Sequence, residues 1–125
     1  MPARILVIED DPASLELLKY LLERAGYEVH VAADGAAGLQ AALQHNPDLV
    51  LCDLQMPELT GFEVLARLRA DSRWRPAPMV AVTAYSMPGD CEAALAAGFS
   101  DYMTKPIDPD TFLDEIARFL KRPAS

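Results

Sequence analysis

Glu9 and Asp10 close one short apolar run and Asp53 closes another, Thr83 ends a third, and Lys105 follows a fourth. Carboxylates gathered at the ends of such runs would repel one another by about 4 kcal/mol at 4 Å and an effective dielectric of about 20, so a proton or a cation must accompany them. A cation is the simpler answer. All-oxygen ligation with places left for water and phosphate oxygens suits Mg2+, with Mn2+ able to substitute, whereas zinc would call for the His or Cys that this set lacks. An ionised Asp53 needs no general base to act as a nucleophile, and the Thr83 hydroxyl and Lys105 ammonium can both donate to phosphoryl oxygens. The chemistry indicated is an aspartyl phosphate on Asp53.

The elements that must position these groups follow from periodicity. Residues 5–8 form a continuous apolar, β-branched run stopped by acids, as expected of a parallel strand buried on both faces. In residues 14–25, Leu15, Leu18, Leu22 and Ala25 recur at helical spacing and Gly26 stops the helix. The alternation continues with strand 28–31, helix 35–44, strand 48–53, helix 61–70, strand 79–83, an alanine-rich helix around 91–97, strand 99–104, and a last helix opened by Asp108-Pro109. Five βα units predict an α/β fold: a five-stranded parallel sheet in the flavodoxin-like order 2-1-3-4-5 with helices on both faces. In that order the sheet reverses between strands one and three, which brings Glu9, Asp10 and Asp53 to one crevice beyond the strand ends.

At 125 residues the chain is expected to be a single domain over 1–125 with a core of about 4–121 and no attached output domain. The net charge of -8 disfavours direct contact with nucleic acid. No segment reads as an export signal or a membrane span, and Cys52 and Cys91 suit reduced thiols, so a cytoplasmic location is expected.

The runs Ile5-Leu6-Val7-Ile8-Glu9-Asp10-Asp11, Asp53-Leu54-Gln55-Met56-Pro57 with Gly61, Val82-Thr83-Ala84, and Lys105-Pro106 together resemble the signature of response-regulator receiver domains, the CheY-like superfamily, and are closest to stand-alone receivers. The resemblance implies that Asp53 accepts a phosphoryl group from a sensor histidine kinase or a histidine phosphotransfer protein. It makes Asp10 a direct ligand of Mg2+, Glu9 an acid acting on the metal mainly through water, and Gln55 the donor of a backbone carbonyl. It makes Thr83 and Lys105 ligands of phosphoryl oxygens, Tyr102 the aromatic that turns inward with the threonine, and Gln55 and Tyr85 the side chains that set phosphoryl lifetime. A cis peptide between Lys105 and Pro106, a downstream protein target, a monomer or weak dimer, and at most slow self-catalysed phosphorylation and dephosphorylation rather than enzymatic turnover are also implied.

Several residues carry other readings. Asp11 before Pro12 is as good a helix N-cap as a metal ligand. Leu17 and Leu21 widen the apolar arc of the first helix, with Tyr20 beyond it, either to pack under a loop or to meet a kinase or histidine phosphotransfer bundle. Trp74, between Arg73 and Arg75, either covers the sheet edge or belongs to an interface. His30 and His45 have no partner motif and are expected to be exposed. The segment from Tyr85 through the last helix is the expected switching face. Competing functions are a phosphorylation-independent receiver-like scaffold, a haloacid-dehalogenase-like phosphotransferase, which would need an Asp where Gln55 stands, and a flavin carrier, which would need a phosphate loop after the first strand.

Overall fold

The computed structural model describes residues 2–84 and 88–125. Its elements are β1 (Arg4–Ile8), α1 (Pro12–Arg24), β2 (Glu28–Ala32), α2 (Gly35–His45), β3 (Leu49–Asp53), α3 (Gly61–Ala70), β4 (Met79–Thr83), α4 (Pro88–Ala97), β5 (Asp101–Thr104) and α5 (Pro109–Phe119). The strands pair in parallel in the order β2-β1-β3-β4-β5, the order that the alternating pattern predicts.

Because successive strand side chains point to opposite faces, each apolar strand serves two cores at once. Ile5, Val7, Leu49, Leu51, Val80 and Val82 meet Leu18 and Leu22 of α1 and Phe112, Ile116 and Phe119 of α5. Leu6, Ile8, Val50, Cys52, Met79 and Ala81 meet Ala42 of α2 and Val64, Leu65 and Leu68 of α3 on the other face. Cys52 and Cys91 are both free thiols.

Boundaries differ from the sequence reading where caps decide them. α1 begins at Pro12 because Asp11 is its N-cap, with the carboxylate accepting from the Ser14 N–H at 3.2 Å. Phe99 and Ser100 precede β5 rather than belonging to it: the Phe99 N–H closes onto the Ala94 carbonyl and the Ser100 N–H onto Met79.

Of the two readings of Trp74, its burial matches the covering one: it is only 7% exposed and packs in the core on the α2–α3 face, where the apolar area of its ring outweighs an indole N–H that has no partner among the described residues. One expectation is corrected. His30 and His45 are not isolated exposed side chains. Both are half-buried and their rings stack on each other, 3.7 Å between centroids. Partnership of that kind depends on a contact between β2 and the end of α2, which no local motif announces.

Candidate functional site

β1 and β3 flank the point where the sheet reverses; Glu9 and Asp10 directly follow β1 and Asp53 ends β3, so fold geometry alone brings the three acids together. One carboxylate oxygen from each lies within 4.8 Å of the others. Glu9 is 1% and Asp53 5% exposed, while Asp10 is the most open of the three. The crevice therefore has a buried floor and one side facing solvent.

Lys105, just beyond β5, reaches across this floor. Its ammonium ion-pairs with Glu9 Oε1 and lies 3.3 Å from Asp53 Oδ2. Register places it there: the Lys105 N–H donates to the Thr83 carbonyl at 2.8 Å, continuing the β4–β5 pairing past the last strand residue. The peptide between Lys105 and Pro106 is cis. Thr83 is buried at the end of β4, the strand whose Val82 is the register partner of Asp53.

Backbone donors complete the floor. The Gln55 N–H donates to Asp53 Oδ1 at 3.0 Å, and the Asp11 N–H donates to Glu9 Oε2 at 3.3 Å. Asp11 thus serves the site through its backbone while its side chain caps α1, a division of labour that residue type alone does not reveal. The Gln55 side chain is exposed beside the crevice, and Tyr102 is half-buried against the α2–α3 core. Tyr85 lies outside the described residues.

The electrostatics match three acids served by one lysine. Burial, reinforced by a hydrogen bond to Asp53, pushes the Glu9 carboxyl up to about 7, against the pull of Lys105. Lys105 is held above its usual value by Glu9 and Asp53, although burial opposes this. Burial likewise drives the Cys52 thiol far up, so it is a packing group behind Asp53 rather than a nucleophile. An all-carboxylate set with one open side and no His or Cys fits a hard divalent cation such as Mg2+.

The loop from Leu54 to Thr60 is held tightly against the floor. Leu54, Met56 and Leu59 are buried, and Thr60 opens α3 with a reciprocal capping box to Glu63. A Cβ on Gly61 would stand 2.4 Å from the Asp53 carbonyl oxygen, and one on Gly35 2.8 Å from that of Leu59. Glycine at these two positions lets α3 and α2 close on the loop that follows Asp53. Gly61 was legible as part of a motif; the backbone it must clear was not.

Comparison with known proteins agrees with this architecture. The response regulator receiver domain model matches residues 5–117. The chain is 38% identical over 120 residues to the polar-differentiation response regulator DivK of Brucella anthropi, covering 96% of this chain and 98% of that protein. It is 41% identical over 119 residues to the DNA-binding dual master transcriptional regulator RpaA of a Synechocystis species, but that match covers 95% of this chain and only 49% of RpaA. Among solved structures, a putative response regulator from Chloroflexus aurantiacus superposes with a TM-score of 0.89 at 31% identity, covering 98% of this chain and 100% of that one. The receiver domain of the sensor histidine kinase PA1611 from Pseudomonas aeruginosa, with a magnesium ion coordinated in its active-site cleft, superposes with a TM-score of 0.85 at 31% identity, covering 96% and 98%. The dehalogenase and flavin-carrier readings find no support in these likenesses: the chain belongs to the response regulator receiver domain family and is a receiver of two-component phosphorelay signalling.

Proposed function

We propose that Asp53 is the phosphoacceptor, that Glu9, Asp10 and Asp53, with the backbone carbonyl of Gln55, hold Mg2+, and that Thr83 and Lys105 bind the phosphoryl oxygens. The observation that carries this reading is the Lys105 ammonium set between Glu9 and Asp53 at the floor of a three-carboxylate crevice. When bound, the cation supplies positive charge that offsets the carboxylates and the charge on the transferring group. Mn2+, with the same preference for oxygen, would serve in its place.

The donor is a phosphohistidine of a sensor kinase or histidine phosphotransfer protein. Asp53 forms its oxygen–phosphorus bond as the nitrogen–phosphorus bond of the donor breaks, and the electron pair returns to the imidazole. Gln55 N–H holds Asp53 Oδ1 and Lys105 holds Oδ2, so the carboxylate is oriented before the donor arrives. One phosphoryl group is accepted and lost slowly, so the chain is a phosphoacceptor and not a multiple-turnover enzyme.

The partner surface adjoins the crevice. A groove of about 200 Å³ runs between Ala13, Ser14 and Leu17 of α1 and the Lys105-Pro106-Ile107 segment, and Leu17 is 37% exposed at its rim. A histidine-bearing helix laid there would bring its phosphoryl group to Asp53. Phosphorylation would then draw Thr83 and Lys105 toward the added charge, and Tyr102, on β5 opposite Ala81 of β4, would follow into the half-buried space it borders. A downstream protein would read the altered α4–β5–α5 surface. Gln55 would tune the phosphoryl lifetime from the rim, as would Tyr85. The chain acts as one domain in the cytoplasm, as a monomer or weak dimer; among the described residues no helix is long and apolar enough to cross a membrane.

Intact mass after incubation with a small acyl-phosphate donor tests this. A single phosphoryl adduct is expected on the wild type with Mg2+, and none on Asp53→Asn or with chelator. An adduct on Asp53→Asn, or none on the wild type under any condition, overturns the assignment.

A further inference from the structure

We propose that His30 and His45 form a pH-sensitive clasp joining edge strand β2 to the C-terminal end of α2, at the end of the sheet opposite the acidic crevice. Their rings are 3.7 Å apart between centroids and 12° from parallel, a stacked geometry that neutral or singly charged imidazoles can hold. Two imidazolium rings at that separation would repel each other directly. The stack therefore tolerates one proton and not two.

The surrounding groups decide how the pair responds to a proton. His30 Nε2 lies 2.9 Å from Glu28 Oε2 on the same strand, which fixes the His30 ring against its neighbour. The same oxygen is 3.1 Å from Arg4 Nε of β1. Arg4 also donates through Nη1 to the His45 carbonyl at 3.1 Å, and its backbone N–H donates to Asp48 Oδ2, in the link to β3, at 2.7 Å. His45 thus faces His30 and Arg4, both hostile to its protonation, with Glu28 the opposing charge.

His45 occupies the last turn of α2, where the helix dipole favours a cation. Burial and the charges of His30 and Arg4 outweigh that and hold the His45 imidazole below its usual value, against Glu28. A histidine so depressed stabilises the fold above its ordinary titration range, and that contribution is lost as pH falls through the range toward the folded-state value. Asn46 then ends the helix in the left-handed conformation, so opening can be confined to this corner.

Proton NMR titration of the imidazole C–H signals in the full chain tests the clasp, using the wild type, His30→Gln and Glu28→Gln. The His45 midpoint is expected below that of free histidine, to move up in His30→Gln and to move down in Glu28→Gln. Amide exchange over residues 41–46, corrected for its intrinsic pH dependence, is expected to quicken between about pH 7.5 and about 5.5 in the wild type and much less in His30→Gln. A His45 midpoint that ignores both substitutions, or protection equal at the two pH values, overturns the proposal. Neither readout depends on Asp53 or Mg2+, so failure here is separable from failure of the phosphoacceptor assignment.

Discussion

Replacing Gly61 by alanine tests whether close approach of α3 to the end of β3 builds the site. The added Cβ would meet the Asp53 carbonyl oxygen at 2.4 Å, Leu54 Cα at 3.0 Å and the Asp53 carbonyl carbon at 3.1 Å. All three are backbone atoms in or beside a buried strand, so no flexible side chain can yield. α3 must retreat, straining the 3.1 Å bond from the Gly61 N–H to the Leu54 carbonyl and the capping box behind it. Overpacking costs about 1–3 kcal/mol. Alanine's better helix propensity, about 1 kcal/mol in a helix interior and roughly half that in the first turn, returns only part of this. A net loss of about 0.5–2.5 kcal/mol lowers the melting temperature by roughly 2–10 °C in a domain of this size. The Asp53 carboxylate shifts with its backbone, so adduct formation from the acyl-phosphate donor should slow more than the loss of folded protein explains. Gly89→Ala in α4 is the counterpart: its Cβ meets nothing within 4 Å, and the variant should be about 0.4–1 kcal/mol more stable. Thermal unfolding followed by circular dichroism, with intact-mass kinetics alongside, reads both variants. Gly61→Ala melting at or above the wild type with unchanged adduct formation would refute the reasoning.

Three further outcomes follow from the same geometry. Because the Glu9 carboxyl stands at about 7 without metal, above its unfolded value, its protonated form stabilises the metal-free fold at low pH; that contribution is lost as pH rises through about 7, while Mg2+ binding strengthens over the same window. Calorimetric titrations from about pH 5.5 to about 8.5 check this, and a flat affinity profile would count against it. Lys105→Met leaves Glu9 and Asp53 without their shared cation and should cost about 1–3 kcal/mol in chelator, less than the loss of a fully buried partner because the acids can share a proton, with much of it restored by Mg2+ in melting experiments. Trp74→Phe should cost about 0.5–2 kcal/mol, since it keeps one six-membered aromatic ring and removes an N–H with no partner among the described residues but leaves the space of the pyrrole half to be refilled, whereas Trp74→Ala should cost about 3–5 kcal/mol by denaturant unfolding. Partner affinity should be unchanged by the Phe substitution.

The sheet order and the meeting of Glu9, Asp10 and Asp53 were legible in the sequence because both follow from periodicity. Strands buried on both faces read as continuous apolar runs, and βα alternation leaves few ways to order five of them. Caps were partly legible for the same local reason: Asp11-Pro12 was open between a cap and a metal ligand, and the Ser14 N–H resolves the side chain as a cap. Tertiary structure alone decided how Lys105 spans Glu9 and Asp53, that Trp74 is buried, and that His30 and His45 stack. It also decided which backbone atoms Gly61 must clear. Each of these depends on the relative placement of segments far apart in the chain, and side-chain reach across a crevice or between a strand and a helix end leaves no periodic trace in residue order. Local propensity and hydrophobic pattern act over a few residues, whereas charge pairing and close packing act over ångströms between elements that only the folded chain brings together.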